Sequence, residues 1–335
     1  PMKQVVKNFK TGAVTVEEVP APAVRPGCVR VRNVASLISA GTEGGTVQLG
    51  RMSLLGKARA RPEQVKKVLQ AIRTDGVLGT FGAVNRSLDL PIPLGYSCSG
   101  VVDEVGEGVT DLAKGDRVAC GGAGMAYHAG VVVVPRNLCV PIPNGVSHEQ
   151  AAFTTVGSIA MQSARIADLK LGESAVVIGL GLVGLLTGAI LSAAGCRVIG
   201  VDVDPRRVQW VRDRDLYDAF ERSNDTLVDQ VLKRTGGFGA DAVVVTAGVN
   251  SNDPVSLGGE LARYKGRVVV VGRTVMEAPR DTYLFKELEL CTSLAYGPGT
   301  GDASYELEGY DYPIGYVRWT ENRNMQCFLE LVAQG

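Results

Sequence analysis

The stretch Ala175-Val-Val-Ile-Gly-Leu-Gly-Leu-Val-Gly184 decides how this chain is read. An unbroken β-branched run, as in a parallel strand buried on both faces, leads into a Gly-x-Gly-x-x-Gly turn, the spacing a dinucleotide pyrophosphate needs. Gly179 is expected to permit the tight strand-to-helix turn, Gly181 to let backbone approach the diphosphate, and Gly184 to let the helix lie close on the strand. A helix over residues 182–194 would then present its positive end to the pyrophosphate, with Leu182 and Val183 in the first turn.

Working outward, Gly195 reads as a helix C-cap, and Cys196-Arg-Val-Ile-Gly-Val-Asp202 reads as the next strand, ending in an acid. Asp202 suits the two ribose hydroxyls of an adenosine and favours NAD, since a carboxylate there repels the 2′-phosphate of NADP. Arg206 and Arg207 lie close by, and an arginine there accommodates that phosphate, so NADP stays open as the lesser alternative. Further strands end at Thr246-Ala-Gly248 and at Val271-Gly272, whose open carboxyl ends are expected to line the cofactor, with Arg207 near the adenosine. With a helix over residues 150–167 and a last strand over 290–296, a βαβαβ pattern of a doubly wound parallel sheet spans residues 149–297.

Upstream, residues 2–144 carry short alternating or β-branched runs bounded by Pro and Gly, which reads as a β barrel or sandwich. A basic insert at about residues 51–75 interrupts it, with a helical pattern from Pro62 that puts Val65, Val68, Leu69 and Ile72 on one face. Its charge suits a phosphorylated or nucleotide-linked sugar, or simply a solvated helix face. Downstream, a Gly- and Tyr-rich stretch over residues 296–316 precedes a helix over 323–333.

The 335 residues suffice for two domains, and 45% hydrophobic with 21% charged residues is ordinary for a globular chain. With 35 basic and 35 acidic residues, no overall field recruits nucleic acid or a membrane surface. The seven cysteines are scattered, odd in number and without a Cys-x-x-Cys pair, which favours reduced thiols in the cytoplasm over a disulfide framework or a zinc knot. Two histidines, His128 and His148, leave little material for a histidine-based metal site.

The β-rich first part, the glycine turn entered through a helix, Leu94-Gly-Tyr-Ser-Cys-Ser-Gly-Val-Val-Asp-Glu-Val-Gly106 and Lys114-Gly-Asp-Arg-Val118 together resemble the medium-chain dehydrogenase/reductase superfamily over nearly the whole chain. The resemblance implies an α/β plus β fold: a GroES-like, β-rich catalytic domain over residues 1–148 and a Rossmann NAD-binding domain over 149–297. It also implies that residues 298–335 return to the catalytic domain. Zinc-dependent members carry a Cys-Gly-Thr-Asp-like motif, a Gly-His-Glu motif and a further ligand cysteine. Here Ala40-Gly-Thr-Glu43, Gly95-Tyr-Ser97 and a position near Thr154 stand in those places, and each ligand is replaced. Alanine binds no metal, and neutral Tyr, Ser and Thr are poor zinc ligands, so no catalytic zinc is expected.

More narrowly, Leu37-Ile-Ser-Ala-Gly-Thr-Glu43, the basic insert and Tyr312-Pro-Ile-Gly-Tyr-Val-Arg-Trp-Thr-Glu-Asn-Arg-Asn324 resemble the dehydrogenase half of bacterial bi-domain oxidoreductases. Those proteins carry a second, Gfo/Idh/MocA-type domain and are associated with sugar biosynthesis. That resemblance implies a sugar-like substrate, a fused or partner domain, and a chain cut short of its closing strands. Superfamily members pair through the edge of the Rossmann sheet, so a homodimer through residues 290–296 is expected.

Without zinc, another group must stabilise charge on the reacting oxygen. Tyr96, at the lost histidine position, offers a phenol; Thr42 sits where relatives place a relay hydroxyl; Glu43 offers a carboxylate as base, as orienting group or as partner of an arginine. His128, in Met125-Ala-Tyr-His-Ala129, reads as a surface histidine or as one that supports a reacting group from behind. Tyr305, Tyr310, Tyr312, Tyr316 and Trp319 read either as a stacking wall for a ring substrate or as packing for the tail. Three functions follow: a zinc-independent NAD-linked dehydrogenase of a sugar-like hydroxyl or carbonyl, a zinc-free quinone or enoyl reductase, and an NAD-binding module without chemistry of its own.

Overall fold

The structure, a computed structural model, describes residues 1–51 and 91–335; the expected basic insert, apart from its first residue, lies outside the described residues. Two units emerge, Pro1–Phe153 and Thr154–Gly335.

The first unit contains β1 (Met2–Asn8), β2 (Val14–Val19), β3 (Cys28–Ser36), β4 (Pro91–Pro93), β5 (Ser97–Val105), β6 (Arg117–Gly121), β7 (Val131–Pro135) and β8 (Cys139–Pro141). They form a three-stranded sheet in the order β2-β1-β4 and a five-stranded sheet in the order β7-β3-β5-β6-β8, all antiparallel. Alternation along β3 puts Val29 and Val31 inside with Val102, Val118, Val132 and Val134. Between the inward valines, Arg30 pairs with Asp103 and Glu104 of the neighbouring strand.

The second unit is built on β9 (Ser174–Ile178), β10 (Arg197–Asp202), β11 (Asp218–Glu221), β12 (Ala240–Val245), β13 (Ala262–Val270) and β14 (Glu289–Thr292). The six strands are parallel in the order β11-β10-β9-β12-β13-β14, the doubly wound order that reverses between β9 and β12. Ala175, Val176, Val177, Val243, Val244, Val268 and Val269 are fully buried, as both-face coverage of a parallel sheet requires. Each buried valine contributes about 1.5–3 kcal/mol of transfer free energy relative to exposure.

Three differences from the sequence reading have local causes. The helix expected over 150–167 is two helices, His148–Ala151 and Thr154–Ala167, and the boundary between the units falls in the break. Ser147 starts the first with a reciprocal capping box to Gln150. The strand expected over 290–296 stops at Thr292, because Ala295 and Gly297 have left-handed φ angles of 43° and 118°. The segment 298–335, expected to return to the first domain, groups with the second unit, where Asn324 accepts a 2.8 Å bond from Arg165 and the Phe328 ring lies on Gly157. Of the two readings of the aromatic stretch, packing within the tail is seen for Tyr305, which is buried and stacks on Tyr312, and for Trp319, which lies under Arg165 and Arg318; Tyr310 and Tyr316 are exposed.

Candidate functional site

In the second unit the glycine turn joins β9 to the helix Leu182–Ala193 at the switch point of the sheet. Gly179 has φ 99°, and a Cβ there would lie 2.7 Å from the Ala247 amide nitrogen that follows β12. A Cβ on Gly184 would lie 1.8 Å from the Gly179 carbonyl oxygen, so helix and turn touch backbone to backbone. Gly181 differs. It caps the helix with an ordinary φ of −75° and has nothing within 4 Å of a built Cβ, so its small size serves open space rather than packing. The next three N–H groups, of Leu182, Val183 and Gly184, have no intrahelical acceptor by helix geometry and leave a positive end beside that space.

Asp202 ends β10 with its side chain almost wholly buried. Its Oδ2 accepts from the Leu180 N–H at 2.6 Å and its Oδ1 from the Asp204 N–H at 2.8 Å, while Arg207 Nη1 lies 3.3 Å away. The acid at the strand end therefore braces the glycine turn. Arg206 turns to Asp204 and holds that carboxyl down at about 2. Thr246 donates to the Gly179 carbonyl at 2.6 Å and fixes the other side of the turn. Gly272 packs against Ala247, where a Cβ would meet the carbonyl oxygen at 2.2 Å; Gly248 faces open space, and Val271 is half-buried beside them.

The candidate chemical residues Thr42, Glu43 and Tyr96 all belong to the first unit. Thr42 is exposed at the head of the helix Thr42–Arg51. Tyr96 is half-buried just before β5, and its backbone carbonyl accepts from the Gly122 N–H at 3.1 Å. Gly95, at φ 102°, brings this segment against His128, whose amide nitrogen would lie 2.5 Å from a Cβ. Glu43 is buried, and its partner is a histidine: Oε2 lies 2.8 Å from His128 Nε2, and Oε1 accepts from the Ser39 N–H at 2.9 Å. His128 is itself buried, so of its two readings the surface one falls and that of a histidine supporting another candidate residue remains; its Nδ1 lies 2.9 Å from Ser36 Oγ. Burial alone raises the Glu43 carboxyl, but the bonds from His128 and the Ser39 N–H outweigh it and hold the group below the usual carboxylate range.

The Ser36–His128–Glu43 chain was not legible locally. Its members come from the end of β3, the loop before β7 and the helix Thr42–Arg51, with 85 and 92 residues separating the bonded pairs.

A tetrahedral zinc needs three or four Cys, His or carboxylate donors converging on one point. Both histidines and all seven cysteines lie among the described residues, and no group of three metal-competent donors forms there. Of the motif positions, Ala40 has no donor atom, and Ser97 donates its hydroxyl to the Ala152 carbonyl at 2.7 Å. Thr154 keeps a buried hydroxyl without a partner. Cys98, Cys120 and Cys139 lie side by side across β5, β6 and β8, fully buried. Hydrogen bonding to Cys139 and Cys98, with burial, pushes the Cys120 thiol far up. The described residues thus do not fit a catalytic zinc.

Comparison with known proteins agrees with the fold. A zinc-binding dehydrogenase family model matches residues 183–307, and an alcohol dehydrogenase GroES-like domain model matches residues 66–144. The probable D-xylulose reductase A of Aspergillus clavatus is 31% identical over 251 residues, covering 65% of this chain and 70% of that protein. The chain belongs to the medium-chain dehydrogenase/reductase superfamily. Another relative, sorbitol dehydrogenase 2 of Saccharomyces cerevisiae, is 31% identical over 221 residues, 54% of this chain; the chain spans only 62% of its length. Among solved structures, 2R,3R-butanediol dehydrogenase from Bacillus subtilis superposes with a TM-score of 0.72 at 21% identity, over 100% of this chain and 89% of that one. The GroES-like β domain and the Rossmann sheet of the superfamily are accordingly the first and second units here.

Proposed function

We propose that the chain is a zinc-independent, NAD(H)-linked oxidoreductase that moves a hydride to or from the hydroxyl or carbonyl carbon of a sugar-like or nucleotide-linked small molecule. The observation that carries this reading is Gly181: a glycine that packing does not require, at the open positive end of a helix, beside the acid that ends β10. A diphosphate would take that space, held by the N–H groups of Leu182, Val183 and Gly184. Asp202 and Arg207 would take the adenosine ribose, and Thr246, Ala247, Gly248, Val271 and Gly272 at the ends of β12 and β13 would line the rest of the dinucleotide. When bound, that cofactor supplies the hydride chemistry.

Zinc independence is supported by the donor set, which lacks ligands at Ala40 and Tyr96. Tyr96 would polarise the reacting oxygen through its phenol, with Thr42 offering a hydroxyl nearby in sequence to Glu43. The names of the polyol and ketose relatives favour a sugar-like substrate. A homodimer through β14 is supported by its place at the edge of the sheet, flanked by exposed Phe285 and Leu294. Among the described residues no helix is long and apolar enough to cross a membrane, and the seven free thiols favour a cytoplasmic setting.

Titration with NADH and NADPH, followed by a panel of polyols, ketoses, sugar nucleotides and quinones with absorbance of the reduced cofactor as readout, tests the reading. Tighter binding of NADH and turnover of a polyol or ketose is expected. Turnover of quinones alone would make the chain a quinone-type reductase. Binding without turnover of any substrate would make it a cofactor-binding module serving a partner such as a Gfo/Idh/MocA-type domain.

A further inference from the structure

A free carboxylate at the end of a strand such as β10 repels the 2′-phosphate of NADP. The carboxylate of Asp202 is not free. Its Oδ2 accepts from the Leu180 N–H and its Oδ1 from the Asp204 N–H, so both oxygens turn inward to the glycine turn, and the side chain is 3% exposed. Beside it stands Arg207, whose side chain is 53% exposed and whose Nη1 lies 3.3 Å from Oδ2. Opposite charges that close largely cancel at the distance of a ribose. A ribose arriving at the end of β10 therefore meets a guanidinium in front of a covered acid.

Arg207 is also free to change partner. Its contact with Asp202 is longer than the ~2.7–2.9 Å of a strong charge-assisted bond. That contact occupies one N–H of the guanidinium, and the side chain has no other hydrogen-bond partner among the described residues. If Arg207 turns away, Asp202 keeps both of its backbone N–H bonds. Arg206 differs, because its Nε and Nη2 hold the two oxygens of Asp204 at 3.0 and 2.9 Å.

We infer that Arg207, rather than Asp202, sets the dinucleotide selectivity of this turn: its guanidinium takes the 2′-phosphate of NADPH, so the chain binds NADPH as well as NADH. This rests on the dinucleotide reading above and deepens it. Two N–H groups of a guanidinium match two oxygens of a phosphate, which offsets the repulsion from the acid behind. The preference for NADH is correspondingly small.

Fluorescence titration with NADH and NADPH tests the inference without any substrate. In the wild-type chain NADH should bind tighter by no more than about tenfold, equivalent to about 1.4 kcal/mol; a wider gap would overturn the inference. Arg207→Ala should weaken NADPH binding about tenfold or more beyond its effect on NADH, the loss expected when a phosphate gives up a paired guanidinium. Arg206→Ala should leave the ratio of the two affinities unchanged. Equal losses of both cofactors in Arg207→Ala, or a selective loss of NADPH in Arg206→Ala instead, would remove Arg207 from its role. Asp202→Asn, checked for folding by its urea midpoint, should not favour NADPH over NADH by more than the wild-type gap; a larger gain would return selectivity to the acid. A wild-type chain that binds neither cofactor would overturn the dinucleotide reading itself, whereas one that binds NADH and rejects NADPH would overturn this inference alone.

Discussion

At the scale of single residues, the three glycines of the turn separate packing from ligand binding. Gly184→Ala forces a methyl group to within 1.8 Å of a backbone carbonyl that the Thr246 hydroxyl also holds. It should lower stability by about 1–3 kcal/mol, the usual cost of overpacking, seen as a fall in the urea midpoint. Gly181→Ala meets no neighbour and adopts an ordinary backbone conformation, so the midpoint should stay within experimental error. Its methyl group nevertheless enters the space assigned to the diphosphate, and NADH affinity by fluorescence titration should fall about tenfold or more, equivalent to about 1.4 kcal/mol. Equal affinity in the two proteins would remove the diphosphate from this turn. Asp202→Asn offers one acceptor oxygen to two backbone N–H groups, those of Leu180 and Asp204. The group left unpaired should cost about 1–3 kcal/mol, so the acid contributes to stability even without cofactor.

At the scale of elements, the C-terminal helix Glu321–Gln334 contains a pH-sensitive start. Glu321, its first residue, is fully buried; its Oε2 accepts from Thr300 at 3.1 Å, and the Tyr296 hydroxyl also bonds to the carboxyl. Burial, helped by nearby Glu306, pushes its carboxyl up to about 8. A folded-state value above the unfolded one of about 4.3 means that the native chain holds the proton more tightly. This contribution is therefore complete below the unfolded value and is lost as pH rises toward the folded one. Relative to Glu321→Gln, wild-type stability should decline by up to about 1.4 kcal/mol per pH unit across that window, measured by urea unfolding at several pH values. Parallel curves for the two proteins would show that the buried carboxyl does not titrate in this way.

The same scale shows what was legible in the chain. The strands around the glycine turn were readable because β-branched runs bounded by glycine depend on near neighbours alone, as in β9, β10 and β12. Strand β11 was not, since Asp218–Glu221 is four residues long and buries only Ala219 and Phe220. The turn after Thr292 depends on Ala295 in a left-handed conformation, which alanine seldom signals. Glu43 was recognised as a candidate from a motif position, but its histidine partner came from a distant loop, and tertiary register rather than local pattern joins them.

At the scale of the whole molecule, the chain is a superfamily member with a glycine turn at the switch point of its second unit and a hydroxyl–imidazole–carboxylate chain in its first. If β14 pairs with its copy, sedimentation should report a dimer, and a charge at Leu294, which is 71% exposed, should shift it to monomer while leaving NADH affinity intact. The proposed zinc independence makes a sharper claim, because a Lewis acid leaves a dependence on metal that side-chain hydroxyls do not. The most direct test is the rate of NADH-linked turnover of the best polyol or ketose after exhaustive dialysis against a strong zinc chelator. An unchanged rate that added zinc does not raise is expected; a rate abolished by the chelator and restored by stoichiometric zinc would contradict zinc independence.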